Sequence, residues 1–183
     1  MSRAEPPELD LRSGHTADFE PGDLKRARQL LDLVFDDMTD ADWEHALGGT
    51  HVMAWCDGEI VGHASLVQRR LLHRGTALRT GYVEGVAVHP AQQRRGLGGR
   101  MMEVLERLIG LAYDIGALGA TDIGAHFYRQ RGWLLWRGEL SALMPSGVVG
   151  TPDEQGGIFV FPAAHELDLE GELTCDFRNG DVW

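Results

Sequence analysis

Apolar residues along the chain recur at two spacings, in short runs bounded by Gly, Pro or Asp that predict strands and at intervals of three and four that predict helices. Leu9 to His15 reads as a first strand. Pro21-Gly22-Asp23 opens a helix whose apolar face is Leu24, Ala27, Leu30, Leu31, Val34 and Phe35. Thr39 and Asp42 form a capping box with Asp in place of Glu, and the short helix they start ends before Gly48-Gly49. His51 to Cys56, Glu59 to Leu72 and Ala77 to Val88 read as an antiparallel meander, with Asp57-Gly58 as a hairpin signal. A loop from His89 to Gly99 leads into a helix with Met101, Val104, Leu105, Leu108 and Ile109 on one face.

Gly116 to Ala120 is a short strand, and Thr121-Asp122 caps a helix that Gly132 ends. Trp133 to Leu140 is expected as one strand, Met144 to Gly157 as a loop, Ile158 to Phe161 as the last strand, and Ala163 to Trp183 as a largely irregular tail. Met1 to Asp10 is polar and acidic, reads as a loose arm with residues 1–8 flexible, and lacks the order of a secretory signal. No linker or repeat divides the chain, so one domain over residues 1–183 is expected. The class is α/β (α+β), with a mixed, mostly antiparallel sheet flanked by helices.

The chemistry centres on Tyr82 to Ile109, where a buried strand feeds a basic glycine loop and then an amphipathic helix. This layout suits an anion, because glycines let the backbone approach closely and the helix start offers free N–H groups. The loop is neither GxxxxGK[ST] nor GxGxxG, so a nucleotide P-loop and a dinucleotide fingerprint are excluded. It reads Gln93-Arg94-Arg95-Gly96-Leu97-Gly98. This pattern resembles the pyrophosphate loop of the GNAT acetyltransferase superfamily, which implies that fold and acetyl-coenzyme A as cosubstrate. Ala125 to Trp133 resembles the superfamily helix whose tyrosine, here Tyr128, faces the coenzyme A sulfur.

Further stretches resemble the aminoglycoside 2'-N-acetyltransferases within that superfamily. They are Asp42-Trp43-Glu44-His45, Gln68-Arg69-Arg70-Leu71, Gly81 to Val88, Thr151-Pro152-Asp153 and the ending Gly180-Asp181-Val182-Trp183. The resemblance implies direct acetyl transfer with Glu84, Tyr128 and Trp183 as catalytic residues. It implies that Val86, Ala87 and Val88 bond the pantetheine arm, and that Gln93, Arg94, Arg95, Gly96, Leu97 and Gly98 hold the diphosphate. The polycationic drug would meet Asp37, Asp42, Glu84, Gly85, Gly119, Asp153, Glu154, Asp181 and the terminal carboxylate of Trp183. Gly119 stands where the family carries a hydroxyl residue and Glu154 where it carries aspartate, and both departures bear on drug preference.

Read from the residues themselves, Glu84 is a carboxylate inside an apolar run, either a paired structural charge or a base. We favour the base, because its strand leads into the glycine loop. Tyr128 is the candidate acid for the thiolate, against the alternative of a tyrosine packed under the sheet. Asp36, Asp37, Asp40 and Asp42 cluster at a helix junction, where carboxylates cap helices or bind cations.

Charge narrows the partners. The net charge of −11 argues against nucleic acid and is compatible with a cationic ligand. Of the 17 Lys and Arg residues, seven fall between Arg69 and Arg100, a basic island that suggests one anionic ligand. The eight histidines show no metal-ligand spacing, so no metal is expected, and His45 and His51 read as structural. Cys56 and Cys175 are expected as reduced thiols in a cytoplasmic protein. No apolar run is long enough to span a bilayer, and family analogy suggests a homodimer. Acetylation of another amine, or a non-catalytic coenzyme A-binding module, are the alternative readings.

Overall fold

The computed structural model describes residues 9–164 and 166–183. The expected flexible arm over residues 1–8 lies outside the described residues. The elements run β1 (Leu9–His15), α1 (Pro21–Val34), α2 (Asp40–Ala46), β2 (Thr50–Cys56), β3 (Glu59–His73), β4 (Thr76–Val88), α3 (Leu97–Ala112), β5 (Ile115–Gly119) and α4 (Asp122–Gln130). They continue with β6 (Leu134–Leu135), β7 (Leu140–Met144), β8 (Gly147–Gly150), β9 (Ile158–Pro162) and β10 (Leu173–Cys175). The chain divides into two compact units. One takes the chain up to Ser65 with Gly85–Leu105, and the other takes Leu66–Glu84 with Glu106–Trp183.

In the first unit, β1 lies antiparallel to β2, from Leu9 opposite Cys56 to His15 opposite Thr50. β2 turns into β3 through Asp57 and Gly58, both at positive φ (52° and 82°), the type I′ geometry whose twist suits a hairpin. Pro21 starts α1, which buries Ala27, Leu30 and Leu31 against Met53, Trp55, Ile60 and Ala87. Thr39 caps α2 by accepting from the Asp42 N–H, with the Asp42 carboxylate bonding back, as the capping box predicts. Gly62 lets α3 close on the sheet, since a Cβ there would lie 2.9 Å from the Met101 sulfur.

In the second unit, β5 runs parallel to β4, pairing Thr80, Gly81 and Tyr82 with Ile115, Gly116 and Ala117. β9 is antiparallel to β5, and β6 covers the outer edge of β9. β10 lies antiparallel to β3 and parallel to β7, which forms a hairpin with β8. The core holds Tyr82, Ile115, Trp136, Leu140, Val160, Leu173 and Trp183, among others.

Three expectations change here. Trp133 to Leu140 is not one strand, because Trp136 turns inward and its indole donates to Gly171 O at 3.1 Å. Gly138 must stay bare at this crossing, since a Cβ would lie 1.8 Å from Gly171 O. Met144 to Gly157 is not a plain loop and carries β8. Ile158 to Phe161 is not the last strand, because β10 is buried in the tail that follows. Three residues are too few to display a period. No helix among the described residues is long and apolar enough to cross a membrane.

Candidate active site

The glycine loop belongs to the first unit. β4 ends at Val88, and a short turn over Pro90–Gln92 follows, with the His89 ring accepting from the Ala91 N–H. Gln93 folds its side chain back to donate to Val88 O at 3.1 Å. Arg94 and Gly96 both take left-handed backbone (φ 60° and 79°), and Leu97 is buried where α3 begins. A non-glycine residue in this conformation is uncommon and is found at ligand-binding turns. The N–H groups of the first helical turn have no partner within their own helix. Exposed Arg94 and Arg95, the glycine backbone and the helix start form a donor set that fits a diphosphate. Leading into the loop, Ala87 faces the α1 core, while Val86 and Val88 are partly exposed.

Glu84 belongs to the second unit, where Arg178 organises its surroundings. One guanidinium nitrogen of Arg178 donates to the Glu84 carboxylate and another to the main-chain oxygen of Trp183. Its Nε donates to Asp181 O at 2.7 Å. Both side chains of the Arg178–Glu84 pair are only 14% exposed. Glu84 is therefore a paired charge, and a carboxylate so paired can still accept a proton.

The end of this segment is held at several points. Trp183 donates its backbone N–H to the Asp181 carboxylate at 3.0 Å and its indole N–H to Thr151 Oγ1 at 2.8 Å. Arg69 donates to Val182 O at 2.7 Å and pairs with Asp176. The guanidinium carbons of Arg69 and Arg178 lie 4.6 Å and 5.3 Å from the Tyr82 ring centre. The Thr151–Trp183 bond ties this segment to the Pro152–Glu154 turn, which carries Asp153 and Glu154. Partial burial, then the charges of Asp181 and Asp153, push the Glu154 carboxyl above its ordinary value. Three expected substrate carboxylates thus share one field. Gly119 is exposed at the end of β5, and a Cβ there would lie 3.8 Å from the Tyr82 hydroxyl.

Tyr128 is buried on α4, with ring centres 6.0 Å from Trp133 and 6.4 Å from Phe159. Burial pushes its hydroxyl up to about 12, so it stays protonated at neutral pH and can act only as a proton donor. Asp42, in the first unit, uses one carboxylate oxygen, Oδ2, for the Thr39 cap, with bonds of 2.8 Å and 2.7 Å. Asp37 is exposed in the α1–α2 connection. Three arginines of the basic island, Arg69, Arg74 and Arg79, pair with Asp176, Asp168 and Asp114. Arg178 was missed in the sequence, where it is a lone arginine in an apparently irregular tail. No group of three or more His, Cys, Asp or Glu side chains among the described residues could hold a metal ion.

The family model described as an acetyltransferase (GNAT) domain matches residues 17–135, from before α1 to the end of β6. The chain belongs to the GNAT acetyltransferase family. A relative from Mycolicibacterium fortuitum, an aminoglycoside 2'-N-acetyltransferase, is 47% identical over 92% of this chain and 89% of its own. Among solved structures, the GNAT N-acetyltransferase YhbS of Escherichia coli in complex with CoA superposes with a TM-score of 0.64 at 16% identity, covering 96% of this chain and 93% of that one. A GNAT acetyltransferase of Brucella melitensis in complex with acetyl-CoA gives 0.59 at 19% identity, over 92% and 96%. Eis1 from Mycobacterium abscessus gives 0.60 at 22% identity over 74% of this chain, which spans only 33% of that longer protein. The fold is therefore the GNAT fold, with the mixed sheet and four helices of that family.

Proposed function

We propose that this acetyltransferase moves the acetyl group of acetyl-CoA directly onto the 2'-amine of aminoglycosides. The observation that carries the reading is the order along β4, where Glu84 is followed at once by Gly85–Val88 and then by the glycine loop. The resemblance to the M. fortuitum enzyme supports the substrate class. In this reading the two compact units work as one domain.

The loop from Gln93 to Gly98 holds the diphosphate, and Val86, Ala87 and Val88 bond the pantetheine arm. The Val86 N–H polarises the thioester oxygen as negative charge develops on it. Glu84, ionised beside Arg178, accepts the ammonium proton through water, which frees the amine to attack. The C–N bond forms, the C–S bond breaks, and the Tyr128 hydroxyl returns a proton to the departing thiolate. Asp37, Asp42, Asp153, Glu154, Asp181 and the main chain of Trp183 receive the other ammonium groups. Gly119 leaves room for a sugar ring, and Gly85 offers its backbone to the drug. A homodimer in the cytoplasm completes the proposal.

Release of coenzyme A, followed with a thiol reagent, tests this reading. Tobramycin, which bears a 2'-amine, should turn over, and kanamycin A, which lacks one, should not. Turnover of both overturns the 2' assignment. Turnover of neither moves the substrate to another amine.

A further inference from the structure

Behind β4, in the first unit, stand two buried histidines that the mechanism above does not use. His51 and His63 are both fully buried, with the Nδ1 of His51 2.9 Å from the Nε2 of His63. The chain of bonds has fixed ends. At one end, His63 Nδ1 lies 2.7 Å from Gly85 O. At the other, His51 Nε2 lies 2.8 Å from Thr16 Oγ1, which itself accepts from the Gly48 N–H at 2.8 Å.

These ends assign every proton. A carbonyl only accepts, so His63 Nδ1 must carry a hydrogen and its Nε2 must accept from His51. His51 therefore carries its hydrogen on Nδ1, and its Nε2 accepts the one Thr16 hydroxyl hydrogen, at 2.8 Å, in preference to Gly49 O at 3.4 Å. Two neutral rings satisfy all of these bonds in one direction, from Thr16 to Gly85. Burial keeps both rings neutral, well below the ordinary histidine value. Trp43 packs on both rings, with centres 6.3 Å and 5.9 Å away.

The relay ends on a special peptide. Gly85 is left-handed (φ 55°), and a Cβ there would lie 3.3 Å from His63 Nδ1. The carbonyl of Gly85 and the N–H of Val86 belong to one planar trans unit and point in opposite directions. A donor fixed on the carbonyl therefore sets where the Val86 N–H points and makes that N–H a stronger donor.

We propose that His63, locked in one tautomer by His51 and Thr16, is a positioning residue that orients and polarises the Gly85–Val86 peptide so that the Val86 N–H meets the thioester oxygen. This rests on the assignment of Val86 under the proposed function. His63 touches neither substrate, and its effect passes through the peptide alone.

Two measurements on the full chain test it. First, 15N-histidine NMR of the wild-type protein should show His51 and His63 both protonated at Nδ1, and an Nε2–H tautomer at either ring overturns the relay. Second, a ketone analogue of acetyl-CoA, 13C-labelled at its carbonyl, reports polarisation directly. Bound to the wild type, the carbonyl should shift downfield from its value in water. The shift should vanish in His63→Leu and return in His63→Asn, whose amide replaces the Nδ1 donor. In step, kcat should fall about 10-fold in His63→Leu, as for loss of part of an oxyanion donor, with KM for acetyl-CoA within about two-fold. No shift in the wild type overturns the Val86 assignment itself. A wild-type shift that His63→Leu retains overturns only the role of His63, as does a His63→Asn variant no better than His63→Leu.

Discussion

Arg178 joins Glu84 to Trp183, donating one guanidinium nitrogen to the carboxylate and another to the main-chain oxygen. The residue proposed to accept the ammonium proton and the segment proposed to receive the drug therefore share one cation. Replacing Arg178 with Met leaves a mostly buried carboxylate without its guanidinium partner. We expect a loss of about 3 kcal/mol in urea unfolding and a raised KM for tobramycin. Arg178→Lys, a point charge instead of a fork, should recover only part of either. An unchanged KM in Arg178→Met would show that the pair is purely structural.

Tyr128→Phe removes the proposed acid and leaves its aromatic packing intact. The expected outcome is a kcat about 100-fold lower, KM for acetyl-CoA little changed, and an unaltered melting temperature. Because burial raises the hydroxyl to about 12, the wild-type rate should show no loss from tyrosine ionisation up to about pH 10. A variant with full kcat would assign Tyr128 to packing alone.

The Tyr82 hydroxyl is buried and has no hydrogen-bond partner among the described residues. An unpaired buried hydroxyl costs about 1–3 kcal/mol. Tyr82→Phe should therefore raise stability by about 1 kcal/mol in thermal or urea melts, while keeping the ring between Arg69 and Arg178. A loss of stability would mean that a bound water satisfies the hydroxyl.

His51 is held at about 3 and His63 at about 4, by burial first and, at His51, by the charge of its neighbour. Unfolded histidine binds a proton below about 6.5. As pH falls from there towards 4, the unfolded chain takes up protons that the folded chain refuses, so stability falls. Above that window both rings are neutral in either state and contribute no slope. Each such proton is worth about 1.4 kcal/mol per pH unit at full imbalance. Urea midpoints between pH 7 and 5 should drop in the wild type and drop less in His63→Asn. Equal slopes in the two proteins would contradict the assignment.

Gly85→Ala should be costly for two reasons that act together, the left-handed backbone (φ 55°) and the approach of His63 and Leu31 to 3.3 Å. Loss of about 1–2 kcal/mol is expected from the backbone alone. Differential scanning calorimetry reads it directly, and a melting temperature equal to wild type would show that the backbone at Gly85 can relax.

Most of this fold was legible where sequence signals are local. Asp57-Gly58, the Thr39–Asp42 box and the Thr121 cap each act within four residues, and each formed as expected. The glycine loop was legible because its strand, turn and helix are contiguous. What escaped depends on partners far along the chain. Glu84 could not be recognised as paired, since Arg178 lies 94 residues away. Arg69 looked like part of a basic island until Asp176 and Val182 came to meet it. His51 read as a structural histidine, and nothing in its own neighbourhood revealed His63 as its partner.

The short strand β10 has a consequence for how the second unit assembles. It fills a slot between β3 and β7, with Thr174 opposite Leu72 and Leu140 beside Leu173. Pairing segments so far apart in sequence closes a long loop, which slows folding. Until Leu173–Cys175 arrives, β3 and β7 each expose an edge able to capture another chain. Misassembly of this protein should therefore begin at that slot, and a peptide matching β10, supplied during refolding, should compete for it.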